Sequence, residues 1–155
     1  MSLAVNASIV DQYVSGLGVY TIQLVKELEK IRQDLIVYTS APEAFKLTSA
    51  KWKNILFPLA PAYGKKAHLA RLIWTQTVLP VRLFKDNISK IFAPIPECIV
   101  GTNIPQTVVV HDLIPLKFPK DYPFQNGYFR WYVAPLLRKA KKIITVSEQS
   151  KADLI

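Results

Sequence analysis

The chain has 155 residues, of which 50% are hydrophobic and 20% charged, so it is long enough for one domain with its own core and short for two. Its single cysteine, Cys98, excludes an intrachain disulfide. This composition predicts a buried free thiol in a protein of the reducing cytoplasm. The sequence contains no run of about 18 uncharged apolar residues, so a membrane-spanning helix is not expected.

The net charge of +9 lies almost wholly in the second part of the chain. Residues 65–155 carry fourteen Lys and Arg against six Asp and Glu, whereas residues 1–64 carry six against five. A basic surface of this kind attracts nucleic acid, anionic lipid headgroups or phosphorylated small molecules. Charge alone does not choose among these partners, and an ordinary basic surface that favours solubility fits equally well.

Short apolar runs alternate with helical stretches along the chain. We predict strands at 3–10, 35–40, 54–59, 90–94, 107–112 and 142–147. Most of these runs are nearly unbroken, as in strands that are covered on both faces of a parallel sheet. Helices are expected at about 15–30, at about 65–79 with an end near Pro80, and at about 125–140 with a kink or break at Pro135. The alternation predicts a doubly wound, mostly parallel α/β sheet with helices on both faces.

Two glycines stand one residue apart at the start of the first helix, in the segment Gly16-Leu17-Gly18. A glycine turn that leads into a helix presents backbone N–H groups and the positive end of the helix dipole to an anion. The segment lacks the third glycine of the dinucleotide-binding fingerprint. It therefore suits a phosphate, or it is a turn that needs glycine for a positive φ.

His111 and Asp112 follow a hydrophobic strand, so they are expected at the same edge of the sheet as the glycines. A histidine there can donate a hydrogen bond to a substrate hydroxyl or to a backbone carbonyl. The alternative is that His111 only holds the loop after its strand. Asp112 is most simply a turn residue that caps the following Leu-Ile-Pro segment, with contact to a ligand as the alternative.

The sequence lacks the residues that several other kinds of functional site require. One cysteine and two histidines do not supply a structural zinc site, and the sequence has neither a Gly-x-x-x-x-Gly-Lys-Ser/Thr phosphate loop nor a Gly-x-Ser-x-Gly elbow. The second histidine, His68, has basic neighbours in its helix and is expected on the surface. Ser147 and Glu148 begin a last helix, where Ser147 is expected to act as the N-cap and contact with a ligand is the alternative.

Five segments in a fixed order carry a resemblance to a known family. They are GLGVYTIQLVKEL after the first strand, ARLIWTQTVLP in the second helix, IFAPIP, VVVHDLIPLKFPKDYP and RKAKKIITVSEQSKADL. Together they resemble the amino-terminal half of a retaining glycosyltransferase of family four, over nearly the whole chain. The resemblance implies one half of a GT-B fold, in which residues 1–155 form a Rossmann-like domain on the acceptor side of a cleft. The nucleotide-sugar donor would be held mainly by a carboxyl-terminal domain that is absent from this chain.

The resemblance also implies roles for individual residues. The glycine loop of such enzymes approaches the donor diphosphate and the acceptor, which implies this role for Gly16, Leu17 and Gly18. A histidine at the position of His111 lies near the transferred sugar, which implies a catalytic residue. Further candidates for contact with the donor or the acceptor are Asp112, Ser147 and Glu148. No metal or other cofactor is required, because the nucleotide sugar is a substrate. Relatives often have an acidic residue at the position of Thr75, so an acceptor contact there is not implied.

These implications lead to an expected function. We expect a cytoplasmic, hexosyltransferase-like enzyme of glycan biosynthesis that acts on a glycan or lipid-linked acceptor and is inactive as this domain alone. Because family members that use lipid-linked acceptors work at membranes, part of one basic group is expected to rest on anionic lipid: Lys65, Lys66, Arg71, Arg82 and Lys85. Nucleic acid is not expected as a partner. The competing interpretation is a non-catalytic Rossmann-like module that binds anionic lipid or nucleic acid.

Overall fold

The computed structural model describes residues 2–11, 15–46, 48–56, 59 and 64–154. Within these ranges, six strands form one sheet in which all neighbouring strands are parallel. The strands are β1 (Ser2–Asn6), β2 (Leu35–Thr39), β3 (Lys51–Asn54), β4 (Ile88–Ala93), β5 (Gln106–Val110) and β6 (Lys142–Thr145). Their order across the sheet is β3-β2-β1-β4-β5-β6, which is the order of a doubly wound Rossmann sheet.

Helices connect the strands and follow the last one. In the part of the chain that the structure describes, they are α1 (Gly16–Ile31), α2 (Gly64–Lys85), α3 (Ile114–Lys117), α4 (Pro123–Tyr128), α5 (Ala134–Leu137) and α6 (Glu148–Ala152). A turn of π-helix, Phe129–Val133, joins α4 to α5. A turn of 3-10 helix, Pro42–Ala44, follows β2.

The helices cover both faces of the sheet. Successive residues of a strand point to opposite faces. On β1, Val5 lies in the core cluster of α1, whereas its neighbour Ala4 lies with Trp74 in the core cluster of α2. On the other half of the sheet, Leu136 of α5 packs with Ala93 of β4. The prediction of a Rossmann-like α/β domain with helices on both faces is confirmed.

The centre of the sheet lies between β1 and β4. The chain winds from β1 through α1 to β2 on one side, and it returns through α2 to β4 on the other side. In open parallel sheets, ligands bind beyond the carboxyl ends of the strands at such a switch point. The loops after Asn6 and Ala93 leave the sheet at this edge, and α1 begins there.

Helix α2 does not end near Pro80 as predicted but continues to Lys85. A proline inside a helix costs about 3 kcal/mol, because it removes one backbone hydrogen bond and crowds the preceding turn. Leu79 and Leu83 on either side are fully buried, and burial of each leucine contributes roughly 1.5–3 kcal/mol. Arg82 also donates a hydrogen bond of 2.7 Å to the carbonyl oxygen of Asn54. Tertiary packing therefore outweighs the proline.

The strand predicted at 54–59 is misplaced. The structure has β3 at Lys51–Asn54, paired on one side with β2 and exposed along its length. An edge strand needs no apolar run, and its charged side chains discourage pairing with further strands. The apolar residues that suggested a strand serve the core instead, since Ile55 and Leu59 are buried in the cluster beneath α2.

The helix predicted at about 125–140 forms as three joined segments from Pro123 to Leu137. In the π turn, the Ala134 N–H donates to the carbonyl oxygen of Phe129, five residues back. This wide turn lies immediately before Pro135, whose ring in a regular helix clashes with the carbonyl group four residues earlier. The proline is thus accommodated by a local widening, with Leu136 still buried.

Two further expectations concern Cys98 and membrane spans. Cys98 is a buried free thiol, as predicted. Among the described residues, none of the helices has both the length and the apolar character needed to cross a membrane.

Candidate functional site

In the first turn of α1, Gly16 and Leu17 are exposed to solvent, whereas Gly18 is buried. The N-cap of α1 is Ser15, whose side chain accepts a 3.1 Å hydrogen bond from the N–H of Gly18. Both glycines are helical, and Gly64 is the one described glycine with a positive φ, so the alternative of a positive-φ turn at Gly16 or Gly18 is wrong. A Cβ added to Gly16 would meet no atom within 4 Å. Neither the backbone nor the packing of this domain therefore requires glycine at position 16.

His111 lies beside α1, directly after β5. Its ring is 4.7 Å from the ring of Tyr20 between centroids, at an interplanar angle of 89°. Its Nε2 lies 2.9 Å from the carbonyl oxygen of Pro94, in the loop after β4. Because a carbonyl oxygen only accepts hydrogen bonds, Nε2 carries the proton in this contact. In the neutral ring, Nδ1 is then the nitrogen that can accept a hydrogen bond from a ligand hydroxyl.

The other predicted site residues have local structural roles. Asp112 accepts a 3.1 Å hydrogen bond from the N–H of Ile114 and so forms a turn before α3, whose N-cap is Leu113. Ser147 is the N-cap of α6 and accepts a 3.1 Å hydrogen bond from the N–H of Ser150. Ser150 in turn donates to the carbonyl oxygen of His111, at 3.2 Å. The start of α6 is thereby tied to His111, while the Glu148 side chain is 92% exposed.

Sequence analysis missed a buried polar cluster at the same edge of the sheet. Glu97, in the loop after β4, forms an ion pair with Arg71 of α2, and the two side chains are 1% and 3% exposed. The hydroxyl of Tyr128 donates to the same carboxylate. Nδ1 of His68 lies 2.9 Å from Nη2 of Arg71, and the His68 ring packs edge-on against Tyr128. We call these four residues the Glu97 cluster.

The electrostatics of the Glu97 cluster follow from its burial. Burial lowers the pKa of His68 below 6.5, and the charge of Arg71 lowers it further, so the imidazole is neutral at pH 7. With Nδ1 accepting from Arg71, its proton sits on Nε2. Burial also raises the pKa of Tyr128, and the charge of Glu97 adds to this effect, so the phenol stays protonated. The cluster holds one positive and one negative charge in balance.

Two expectations are corrected by this cluster. His68 was expected on the surface beside basic residues, but it is half-buried, and its position is explained by Glu97 and Tyr128. Arg71 was expected in a basic surface patch, but it is 2% exposed and paired. A signal for the cluster existed: Glu97 stands just beyond the end of β4, as His111 stands just beyond β5.

The remaining basic residues of the expected patch lie apart. Lys66 and Lys85 are exposed near opposite ends of α2, roughly 28 Å apart at about 1.5 Å per residue. Arg82 is half-buried and bonded to Asn54. The side chain of Lys65 lies outside the described part of the structure. These residues do not form one continuous basic patch.

A cavity of about 190 Å³ opens above the Glu97 cluster, and all four members of the cluster line it. Its apolar walls are Ile9, Leu17, Ile95, Pro96 and Phe129. The walls therefore come from the loop after β1, the first turn of α1, the loop after β4 and the turn after α4. This places the cavity at the switch point of the sheet.

Four buried polar side-chain atoms lack a hydrogen-bond partner among the described residues, and one of them belongs to Arg71, which lines this cavity. Among the described residues, the unpaired atoms are Asn6 Nδ2, Ser8 Oγ, Arg71 Nε and Thr75 Oγ1. Asn6 ends β1 on the face that α2 covers, and Arg71 and Thr75 lie one helical turn apart on α2. Such atoms are rare in folded proteins, and an ordered water, a bound ion or local strain is the usual explanation. Thr75 itself is fully buried and does not line the cavity.

A second, larger cavity of about 740 Å³ lies at the opposite edge of the sheet. It is lined by the end of α2, the start of β4 and the loop 100–105. It contains no predicted site residue. Among the described side chains, no three His, Cys, Asp or Glu residues are grouped as metal ligands would be.

The structure thus brings together the first turn of α1, His111 and the start of α6, with the Glu97 cluster beside them. In a comparison with protein-family models, residues 14–155 match the model described as Glycosyltransferase Family 4. No curated protein and no solved structure matches the chain.

Proposed function

Because the chain belongs to glycosyltransferase family 4, we propose that it is the amino-terminal, acceptor-side domain of a retaining GT-B enzyme. The enzyme transfers a hexose-like sugar from a nucleotide-sugar donor to a hydroxyl of a glycan or a lipid-linked acceptor, without a metal. A carboxyl-terminal domain holds most of the donor. One observation supports the proposal. In a chain of this family, Gly16, which has open space where a side chain would be, and His111 both lie at the carboxyl edge of a Rossmann-like sheet.

The start of α1 stabilises the departing diphosphate in this proposal. The N–H of Gly18 is already used by Ser15, so the amides of Gly16 and Leu17 are the ones left for a ligand among the described residues. The α1 dipole adds a partial positive charge there. Because Gly16 has no side chain and open space before it, a phosphate oxygen can approach its N–H closely. Donors aimed at developing negative charge contribute a few kcal/mol each to transition-state stabilisation.

His111 orients a hydroxyl of the transferred sugar. Its ring is held from two sides, by Tyr20 and by the Pro94 carbonyl, so it needs little reorganisation when the ligand binds. Nδ1 then accepts a hydrogen bond from the sugar hydroxyl. In the reaction, the bond from the anomeric carbon to the diphosphate breaks through an oxocarbenium-like transition state. The acceptor hydroxyl attacks the same face of that carbon and loses its proton to the departing phosphate oxygen.

Contact with a membrane surface is a further part of the proposal. The outward side of α2 exposes apolar side chains, among them Ile73, Val81 and Phe84, and Lys66 and Lys85 lie near its two ends. Apolar and basic residues on one helix suit the anionic inner surface of a cytoplasmic membrane. We expect the domain to sediment with anionic liposomes and not with neutral liposomes at low salt. Equal sedimentation with both would contradict this contact.

Nucleotide-sugar turnover tests the enzyme assignment. A protein in which a donor domain continues this chain should release nucleoside diphosphate from one member of a nucleotide-sugar panel in the presence of a chelator. The 155-residue chain alone should fold, as seen by circular dichroism, and should not transfer sugar. Robust turnover by the chain alone would refute the proposed division between two domains.

A further inference from the structure

We propose that Tyr20 is a positioning residue, which fixes the orientation of the His111 ring and ties that ring to the start of α1. The inference rests on the proposed function, in which His111 orients a hydroxyl of the transferred sugar and the start of α1 holds the diphosphate. Tyr20 acts through His111 and not through a contact of its own with the donor. Its ring lies 4.7 Å from the His111 ring between centroids, edge-on at 89°.

The backbone of His111 is fixed by its neighbours, but its ring needs a further restraint. The residue directly follows β5, which pairs with β4 and β6, and the Ser150 hydroxyl donates a 3.2 Å hydrogen bond to its carbonyl oxygen. The ring still turns about two bonds, and the second of these torsions is broad in histidine. The hydrogen bond from Nε2 to the Pro94 carbonyl, at 2.9 Å, restrains one ring atom only. The contact with Tyr20 is the second restraint, and it determines where Nδ1 points.

Helix α1 gives Tyr20 a rigid base. The next two residues, Thr21 and Ile22, are buried, and Val25 is fully buried one turn further along. The Thr21 hydroxyl also donates a 2.7 Å hydrogen bond to the carbonyl oxygen of Leu17. These contacts fix the rotation of α1 about its axis, and therefore the direction in which the Tyr20 side chain leaves the helix. A side chain on such an element positions its neighbour more precisely than one on a loop.

Tyr20 also connects the two proposed donor contacts. Residues four apart in a helix are neighbours on one face, so Gly16 and Tyr20 lie on the same side of α1. In the proposed function, the Gly16 amide contacts the diphosphate and His111 contacts the sugar attached to it. Because Tyr20 belongs to the helix of one contact and packs against the residue of the other, it sets their relative position. A donor held at both points is aligned for transfer, and such alignment raises the rate.

The flat ring of Tyr20, and not its hydroxyl, makes this contact. The hydroxyl forms no hydrogen bond with another residue that the structure describes, and burial alone raises the pKa of Tyr20 above its ordinary value. The phenol is therefore uncharged at neutral pH. Phenylalanine keeps the ring and should keep the function, whereas leucine and methionine remove the ring and are both good helix formers.

The first test uses the 155-residue chain and needs no enzymatic activity. Its readout is the Nε2–H signal of His111 in a nitrogen–proton correlation spectrum, identified by its loss in His111→Ala. A proton held in a fixed hydrogen bond exchanges slowly with water, whereas a ring that turns exposes it. The signal should be present in the native chain, in Tyr20→Phe and in the control Tyr122→Leu, which removes a 41% exposed tyrosine at the start of α4. It should disappear in Tyr20→Leu and in Tyr20→Met.

Three results of this test would overturn the proposal. They are the absence of the signal from the native chain, its loss in Tyr20→Phe, and its persistence in a folded Tyr20→Leu or Tyr20→Met. If the full-length protein transfers no sugar, the proposed function fails, and this spectrum still decides whether Tyr20 holds His111.

The second test is kinetic and uses the full-length enzyme. Tyr20→Leu should lower kcat roughly 10- to 100-fold with little change in the KM of the donor, because the sugar binds but is misaligned. Tyr20→Phe should restore kcat. In the His111→Ala background, Tyr20→Leu should cause no further loss, since a residue that acts through the ring has nothing left to position. Equal losses in the two backgrounds would show that Tyr20 acts independently of His111, and would overturn the proposal.

Discussion

The substitution Gly16→Ala tests whether the glycine is needed for ligand binding or for the fold. The added Cβ meets nothing within 4 Å and the residue is helical, so the fold has no reason to suffer. Alanine in a helix is favoured over glycine by about 0.5–1 kcal/mol. For a domain of this size, 1 kcal/mol corresponds to roughly 2–4 °C in Tm. We therefore expect the Tm of Gly16→Ala to be unchanged or up to a few degrees higher.

The effect on activity should have the opposite sign. If a phosphate oxygen binds the Gly16 amide, the new methyl group occupies its approach path, and loss of one hydrogen bond to a charged group costs about 1.5–3 kcal/mol. This corresponds to a fall in kcat/KM of roughly 10- to 150-fold at about 1.4 kcal/mol per tenfold. The control is Gly127→Ala in α4, where an added Cβ also meets nothing within 4 Å. The assay is nucleoside diphosphate release by the full-length enzyme, and equal activity of the two variants would refute the reasoning.

Three further predictions concern the buried groups. Burial raises the pKa of Cys98 to about 11, so the native thiol should resist iodoacetamide at pH 7.5 and react once urea unfolds the chain. Rapid labelling of the native protein would contradict this prediction. Glu97→Gln should lower the free energy of unfolding by about 3–5 kcal/mol in urea titrations, because it leaves the Arg71 charge buried without a counter-ion. A loss below about 1 kcal/mol would show that the pair is not buried. Since the pKa of His68 is lowered from 6.5 in the folded state, the unfolded state binds the proton more readily, and stability should fall as the pH drops below about 6.5. His68→Gln should flatten this part of the profile, and an unchanged slope would contradict the assignment to His68.

The fold was predictable where local pattern and burial agree. The inner strands β1, β2, β4 and β5 were predicted from apolar runs, because helices cover both faces of the sheet there. The edge strand β6 is partly exposed and was predicted from its β-branched residues. The apolar pattern gave the wrong position for β3. This edge strand is held by backbone pairing with β2, and its exposed side chains need not be apolar. The sequence pattern also misled at Pro80, where a local helix-breaking signal lost to the burial of Leu79 and Leu83.

The site was predictable only in part, for a similar reason. His111 and Gly16 were predicted at one edge of the sheet, and the structure has both there, because the ends of parallel strands and the starts of helices share that edge. The Glu97 cluster was missed because its contacts are not local: Arg71 and Tyr128 are 26 and 31 residues away from Glu97 along the chain. In the sequence, Arg71 and His68 looked like surface residues of a basic helix. The buried carboxylate of Glu97 explains why Arg71 lies inside the fold, and the burial of Glu97 is visible only in the tertiary structure.

The measurement that tests the central claim most directly is made on His111→Ala in the full-length enzyme, with kcat and Tm determined on the same preparation. The substitution removes the hydrogen bond to the Pro94 carbonyl and the edge-on ring contact with Tyr20, each worth about 0.5–1.5 kcal/mol, so the Tm of this domain should fall by no more than roughly 12 °C. If the ring aligns the transferred sugar, kcat should fall by about a hundredfold or more, because that contact is made in the transition state. A larger loss of Tm with nearly normal kcat would contradict the account and leave His111 as a residue that only holds the loop after β4.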